Sequence, residues 1–584
     1  MSGQPTSRPS RSRIFGPFVF DEASAELRKY GVRVRLHGQP LQILTALIRH
    51  PGQVVTRDEF QQQLWKGSTF VDFDHGLHAA MNRLRQALGD SADQPRYIET
   101  LPGRGYRFIA PVQDTDQPAL AAAGHTQSER QQPSIAVLPF ANLSADKQNE
   151  YFSDGLAEEI INLLARISGL KVIARTSAFA FKGKHEDIRR IAEAMDVTNI
   201  LEGSVRRAGN RIRVTAQLIA AADGSHLWSD RYDRELSDVF AIQDEIAQAI
   251  ATALRVRLSA KPSQYKPKLP AYDALLRGRY HRQKFTPEAH ARANECFEQA
   301  IALDPNYAAP HAELGLNYLL LAPNAVRTLT EVAPLVRAKA QRALELDPSE
   351  GNSHFLLGAV AAAHDYDWKE AAGHFAKAMS AISVSAEARW AYAVHYLRAL
   401  GFRHEAAEQM QRAVEQDPLN VTWRAILAHT LSTTEMYDRA LEELRKALEL
   451  DESHWLPNFI LAETYLELGN LPEAAAAAEK AYRAYPRHSM TWGIFAAVLA
   501  RLGEKDRAAA LVREGGESPN PIWGRVLYHL FCSEIDQAAR WYERMIQQRE
   551  PFAVIFASDS VLKPLRISGH WPKLARLMNL PELV

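Results

Sequence analysis

The chain has 584 residues, enough for three or more domains. Hydrophobic residues make up 46% and charged residues 24%, and 69 Lys and Arg balance 69 Asp and Glu, which excludes a chain that coats nucleic acid along its whole length. The balance is uneven, since residues 1–112 hold 15 Lys and Arg against 10 Asp and Glu, an excess suited to one DNA-facing module.

Cys296 and Cys532 lie far apart, and neither sits in a CxxC or metal-ligand spacing. They read as reduced core thiols, with no metal site and no cofactor site implied. The opening MSGQPTSRPSRSR is polar and basic without an apolar stretch, unlike a secretory signal. No run approaches the ~18 apolar residues of a membrane helix, so no membrane association and a cytoplasmic location are expected.

Short strands are expected within Ile14–Phe20 and Val32–Leu36, then a helix from Pro40 to His50, stopped by Pro51-Gly52. Thr56 with Glu59 three residues on forms a capping box for a helix running to about Trp65. A loop, KGSTFVDF, leads to a helix from Asp74 to Leu88. Leu77, Met81, Leu84 and Leu88 form its apolar stripe, while His75, His78, Asn82, Arg83 and Arg85 occupy the other face. The following YIETLPGRGYRF reads as a hairpin with Arg104 between two glycines. A helix with a basic polar face followed by a basic hairpin fits the major groove and the flanking backbone of duplex DNA. An isolated RLR would read as an ordinary solvated helix face. The register of the whole domain favours DNA.

This order, with the pieces PGQVVTRDEFQQQLW, NRLRQALGD and RYIETLPGRGYRF, resembles the OmpR/PhoB-type winged-helix domain, also found in ToxR- and CadC-like regulators. The resemblance spans 14–112. It implies an α+β winged helix that binds double-stranded DNA through His75, Asn82, Arg83 and Arg85 of the helix and Thr100, Arg104 and Tyr106 of the wing. The family often has basic residues where this chain has His75 and Asn82, a histidine in place of Ala80, and a wing arginine in place of Pro102, so no target sequence carries over. Relatives of the OmpR type carry a phospho-acceptor domain ahead of this one. Only about 13 residues precede it here, so signal input is expected from the C-terminal side.

Residues 113–133 are polar and Ala/Gln-rich and read as a flexible linker. ToxR- and CadC-like proteins place a membrane span near here, and this chain has none. From 134 to 262, strands are expected at Ser134–Phe140, Lys171–Arg175, Ile200–Arg207, Arg211–Ala221 and His226–Tyr232. Helices are expected at Glu150–Leu170, Asp187–Met195 and Asp238–Leu258. Gly209-Asn210 marks a hairpin. FKGKH lacks the first glycine of a phosphate loop, and Arg206-Arg207 reads as a solvated turn rather than an anion site. The pieces IAVLPFANLSADKQNEYFSDGLAEEI, VIARTSAFAFKGK, ILEGSVRRAGNRIRVTAQLI and HLWSDRYDR resemble the TolB-like α/β domain that accompanies tetratricopeptide (TPR) arrays in bacterial regulators and some adenylate cyclases. That resemblance implies a sensing, docking or oligomerisation module.

From about 270 to 550 the chain repeats. Alanines at 371, 406, 440, 474 and 508 are 34 or 35 residues apart, and Ala378, Ala413, Ala447 and Ala481 follow seven residues after the first four. Ala293/Ala300 and Val336/Ala343 extend the series backward, with an insertion near Ala322–Thr328. His311, Leu314, Gly315 and Tyr318 fit the first-helix pattern WxxLGxxY with His for Trp, and Tyr465 holds the Tyr position of its repeat. A period of 34 built from helix pairs is the TPR signature, an all-α solenoid of seven to eight repeats. Its groove is expected to hold a protein or peptide partner, with His354, Trp390 and His395 as lining candidates, although an architectural spacer or dimer interface is also consistent. Residues 551–584 read as a C-terminal cap. No HExxH, GxSxG, Walker A or strand-following GxGxxG motif occurs, so no catalytic residues and no enzyme are expected.

The whole reads as a bacterial one-component transcriptional regulator that binds promoter DNA, with a homodimer expected because one module's interface is small. The alternative is a TPR scaffold with only non-specific, salt-sensitive DNA binding.

Overall fold

The computed structural model describes residues 12–581 apart from 16–17, 22–25, 30–31, 35, 37, 65–69, 89, 91–94, 96, 102–103, 111, 116–132, 185, 259–264, 284–285, 323–326, 382 and 518–520. Most of the expected linker, Trp65, Pro102, His185 and most of the insertion after Ala322 therefore lie outside the described residues. The chain forms two compact units, Met1–Arg130 and Gln131–Val584.

In the first unit, β1 (Ser12–Phe15), β2 (Phe18–Asp21), β3 (Glu26–Lys29) and β4 (Val32–Val34) form an antiparallel meander. Helix α1 (Gln39–Arg49), strand β5 (Val54–Thr56), α2 (Arg57–Leu64) and α3 (Phe70–Leu88) follow. The hairpin β6 (Ile98–Leu101) and β7 (Gly105–Phe108) closes a second sheet in the order β5-β7-β6. The chain then returns as β8 (Gln113–Thr115), which pairs with β1. The expected linker thus begins as a strand. Phe15, Leu44, Leu47, Phe60, Leu77, Met81, Leu84 and Phe108 belong to one buried core. Thr56 and Glu59 make the expected box: the Thr56 amide donates to Glu59 Oε2 at 2.7 Å, and the Glu59 amide donates to Thr56 Oγ1 at 3.3 Å. These bonds hold the Glu59 carboxyl below its usual range.

The second unit opens with a mixed sheet. β9 (Ser134–Val137) lies between β12 (Lys171–Val172) and β13 (Asn199–Ala208), parallel to both, and β14 (Arg211–Ala220) and β15 (His226–Glu235) extend the sheet antiparallel. β10 (Ala141–Asn142) pairs with β13, and β11 (Ile167–Ser168) pairs with β16 (Arg257–Leu258). Gly209, at φ 58°, makes the β13–β14 turn. β9 is buried on both faces. Ile135 and Val137 pack in the core of α4 (Glu150–Ala165) and α7 (Val239–Ala253), while Ala136 packs in that of α6 (Ile188–Met195). The α4 helix ends five residues before the expected Leu170, and the second strand stops at Val172 because Arg175 opens the short helix α5 (Arg175–Phe179).

Eight helix pairs follow among the described residues. They are α8 (Leu269–Arg282) with α9 (Pro287–Leu303), α10 (Ala308–Leu321) with α11 (Leu329–Leu346), and α12 (Gly351–Val360) with α13 (Trp368–Met379). Next come α14 (Ala386–Tyr392) with α15 (Arg403–Gln416), α16 (Val421–Thr433) with α17 (Tyr437–Leu450), and α18 (Trp455–Glu467) with α19 (Leu471–Ala484). The last are α20 (Ser489–Arg501) with α21 (Lys505–Gly515) and α22 (Ile522–Phe531) with α23 (Ile535–Gln547). Ala293, Val336, Ala371, Ala406, Ala440, Ala474 and Ala508 each sit fully buried on the second helix of a pair. A larger side chain there would force the two helices apart.

Two seams join the mixed-sheet domain to the array. The buried Arg279 of α8 donates from Nε to Glu313 at 2.6 Å and from Nη1 to Glu159 of α4. Farther along, Ser177 of α5 receives the Leu419 amide at 2.8 Å, and its own amide donates to the buried Asp417 at 2.9 Å. The domain therefore holds the first and fourth helix pairs of the array at once.

Candidate nucleic-acid interface

The α3 helix starts at Phe70, one turn before the expected Asp74 cap. Phe73 explains the extension, since it is buried and continues the Leu77, Met81, Leu84, Leu88 stripe by one turn. The stripe packs α3 against α1 and the wing sheet. His78, Asn82 and Arg83 remain exposed on the opposite face. His75 falls within α3, but its side chain lies outside the described residues.

Arg85 requires a correction. It is 7% exposed, and its Nη2 donates to Ile98 O at 3.0 Å and to Thr100 Oγ1 at 2.7 Å. Position 85 lies four residues after Met81 and three before Leu88, at the edge of the apolar stripe rather than opposite it. The guanidinium therefore ties α3 to β6 instead of facing solvent.

The wing divides in the same way. Arg104 is exposed at the tip of the β6–β7 hairpin, where its amide donates to Leu101 O at 3.0 Å. Thr100 is exposed and accepts from Arg85. Tyr106 is 2% exposed, with its ring centroid 6.2 Å from that of Phe60, and its assignment to the DNA-facing set is also corrected. Tyr106 shares a strand face with Phe108, two residues on, and Phe108 is in the core. Gly105 is obligatory for another reason: a Cβ there would sit 2.1 Å from Val55 O of β5. The cross-strand pair Arg107–Glu99, at 2.6 Å, stiffens the wing and was not among the expected functional residues, although the hairpin register makes it legible.

Asn82, Arg83 and Arg104 thus form an exposed hydrogen-bonding set carried on a packed helix and a pinned hairpin. Asn and Arg side chains can read base edges bidentately, and exposed cations can hold phosphates. In the second unit, Arg207 is drawn to Asp273 at 3.2 Å, and Arg206 and Arg207 line a cleft of about 730 Å³ with Tyr151 and Arg277. Of the expected groove residues, His354 faces His374 across 3.2 Å and Trp390 packs on Trp423. His395 is buried, and burial and then Arg398 push it down to about 4, so it is a neutral packing residue at pH 7. Among the described residues no cluster of three or more metal-ligating side chains occurs, and no helix is long and apolar enough to cross a membrane.

Each of the three regions matches a known family over part of its length. Residues 31–108 match the family described as transcriptional regulatory protein, C terminal. Residues 130–249 match the HilA/YgeH-like transcriptional regulator, second domain. The tetratricopeptide family matches at 392–454, 427–489 and 459–520. A Rhizobium meliloti protein named as an adenylate cyclase is 38% identical over 318 residues, 53% of this chain and 50% of the relative. This chain therefore spans half the length of that relative. The transcriptional regulator HilA of Salmonella typhimurium is 23% identical over 419 residues, 71% of this chain and 72% of HilA. Among solved structures, the Klebsiella pneumoniae RstA DNA-binding domain in complex with the RstA box is 30% identical, covering 17% of this chain and 96% of that one with a TM-score of 0.16. The chain thus joins a winged-helix DNA-binding domain of the transcriptional-regulator type to a second domain like that of HilA and an all-helical tetratricopeptide array.

Proposed function

We propose that this chain is a one-component transcriptional regulator of the cytoplasm. Its winged helix binds promoter DNA as part of a dimer, and its C-terminal unit receives the signal. The observation that carries this reading is the placement of Asn82, Arg83 and Arg104 on the exposed faces of α3 and the wing, in a domain that matches the regulator family. His75 and Thr100 complete the proposed contact set. Each good bidentate pair to a base is worth roughly 1–3 kcal/mol of discrimination. The proposed division is 14–112 for DNA, 134–262 for sensing or docking and 270–550 for partner binding. The mixed parallel and antiparallel sheet of the middle domain supports the TolB-like kinship, and the two seams to the array supply a route from one to the other.

The test is fluorescence anisotropy of the full chain on short duplexes across a salt series. Arg83→Ala and Arg104→Ala should each weaken binding to a preferred duplex at least tenfold. Loss of a phosphate contact alone would instead weaken all duplexes alike and flatten the salt slope by about one. Equal affinity of wild type and both variants for every duplex would overturn the assignment.

A further inference from the structure

The stretch beyond the last helix pair does more than cap it. Residues Phe552–Leu562 lie along the face formed by the first helices of successive pairs. Asp559, 1% exposed, meets Arg398, itself 1% exposed, beyond the end of α14. Asp559 also lies 3.5 Å from Nε2 of His429 on α16. Ser558 donates to the Arg398 carbonyl and accepts from Arg403, and Ser560 donates to Glu467 of α18. Phe556 stacks on Trp523 of α22 with centroids 4.5 Å apart, and its ring lies 5.4 Å from that of His429.

Three features separate this arrangement from an ordinary core. First, the lining is polar where apolar filler would serve. His395, His429 and Glu463 occupy one register position at steps of 34 residues, and Arg398, Arg403 and Glu467 flank them. Burying an ion pair costs desolvation that apolar side chains avoid, and retaining one favours a specific geometry over maximal stability. Second, α12 and α14 each continue into a π-turn, at Ala361–Asp365 and Ala393–Leu397, and Arg398 follows the second of them directly. Such bulges re-aim side chains and are frequent at functional sites. Third, Glu463 meets only the His429 ring, at 3.1 Å, and accepts no further hydrogen bond among the described residues, so the site offers an acceptor that this occupant does not use.

We propose that Phe552–Leu562 is a tethered ligand. The first-helix face of the array is a docking site for a partner-protein segment that presents an aromatic side chain three residues before an aspartate, and the chain's own C-terminal stretch holds that site until such a segment displaces it. This rests on the reading of the array as a partner-binding surface. Phe556 and Asp559 supply the two anchors in cis, one between Trp523 and His429 and one on Arg398. A competing segment succeeds by matching both and by donating to Glu463.

The test uses the full chain and a synthetic peptide of residues 550–564, EPFAVIFASDSVLKP. Hydrogen exchange is measured with and without excess peptide. The amides of 552–562 should exchange through an opening separate from that of the first helices, and the peptide should speed their exchange at least tenfold. A peptide with Asn at the Asp559 position should not. In parallel, full-length Phe556→Ala/Asp559→Asn should bind the labelled peptide at least tenfold more tightly than wild type, and adding Arg398→Met should cancel the gain. Exchange of the segment only together with the array, unaffected by peptide, overturns the tethered-ligand proposal and leaves the docking reading standing. A segment that opens while the folded double variant takes up no peptide overturns both. A double variant that fails to fold leaves the wild-type exchange experiment to decide.

Discussion

Arg83 and Arg85 are two residues apart on α3 and should behave as opposites. Arg83 is exposed, and surface substitutions of this kind shift stability by less than about 0.5 kcal/mol. Arg85 is buried and donates to Ile98 O and Thr100 Oγ1. Hydrogen bonds from a charged donor contribute roughly 1.5–3 kcal/mol each, and the two share one nitrogen and are not additive. Arg85→Ala also leaves the Ile98 carbonyl without this donor and removes a buried aliphatic stem. Together these cost about 3 kcal/mol, which for a domain near 100 residues lowers the melting temperature by roughly 10–20 °C. Calorimetry of the full chain reads this directly: Arg85→Ala should lower the transition of the N-terminal unit by that amount, while Arg83→Ala should leave it within a few degrees of wild type. Binding to a preferred duplex should be weakened at least tenfold by Arg83→Ala in the fully folded protein. An Arg85→Ala protein that melts like wild type yet loses DNA specifically would refute the buried-tether account.

Three further outcomes follow from the geometry. Gly105→Ala drives a Cβ into Val55 O, so the wing should detach from β5 at a cost of about 1–3 kcal/mol, read as a lower first melting transition and weakened DNA binding through displaced Arg104. Burial alone would raise the Glu313 carboxyl, but Arg282 and Arg279 outweigh it and hold the group down to about 2. Stability from this seam is therefore present above the ordinary carboxyl value and lost as pH falls from about 4.5 toward 2, so acid titration of wild type against Glu313→Gln should show that window vanish in the variant. Glu467 is the reverse case. Burial and then Glu463 push it up to about 7, against Ser560 and His429, with Asp559 adding to the rise. Tyr437 also reaches it, at 3.4 Å. Its contribution is present below the ordinary carboxyl value of about 4.5 and lost as pH rises from there through 7, so the protection of 552–562, with intrinsic exchange rates divided out, should fall across that window, and Glu467→Gln should remove the fall.

The repeat array was the most legible part of the sequence because its signal is spacing. A close helix contact every 34 residues demands a small side chain, and Ala371 through Ala508 are buried where that spacing puts them. The capping box at Thr56 was equally local. Arg85 and Tyr106 misled because residue type was weighed above position: one sits at the stripe edge and the other on the core face of its strand. Phe73 could have extended the stripe backward and placed the α3 start correctly. The pairing of Gln113–Thr115 with Ser12–Ile14 and the return of Phe552–Leu562 along the array are contacts between distant segments. Neither carries a local period or turn signal that would announce it.

Sequence-specific DNA binding through α3 and the wing is the property on which the proposed function stands. Selection of duplexes from a random pool by the purified full chain at near-physiological salt tests it most directly, with Arg83→Ala and Arg104→Ala run beside wild type. One enriched motif with two half-sites is expected, lost or degraded by each variant. A pool that stays random, retained only at low salt and equally by all three proteins, would contradict it.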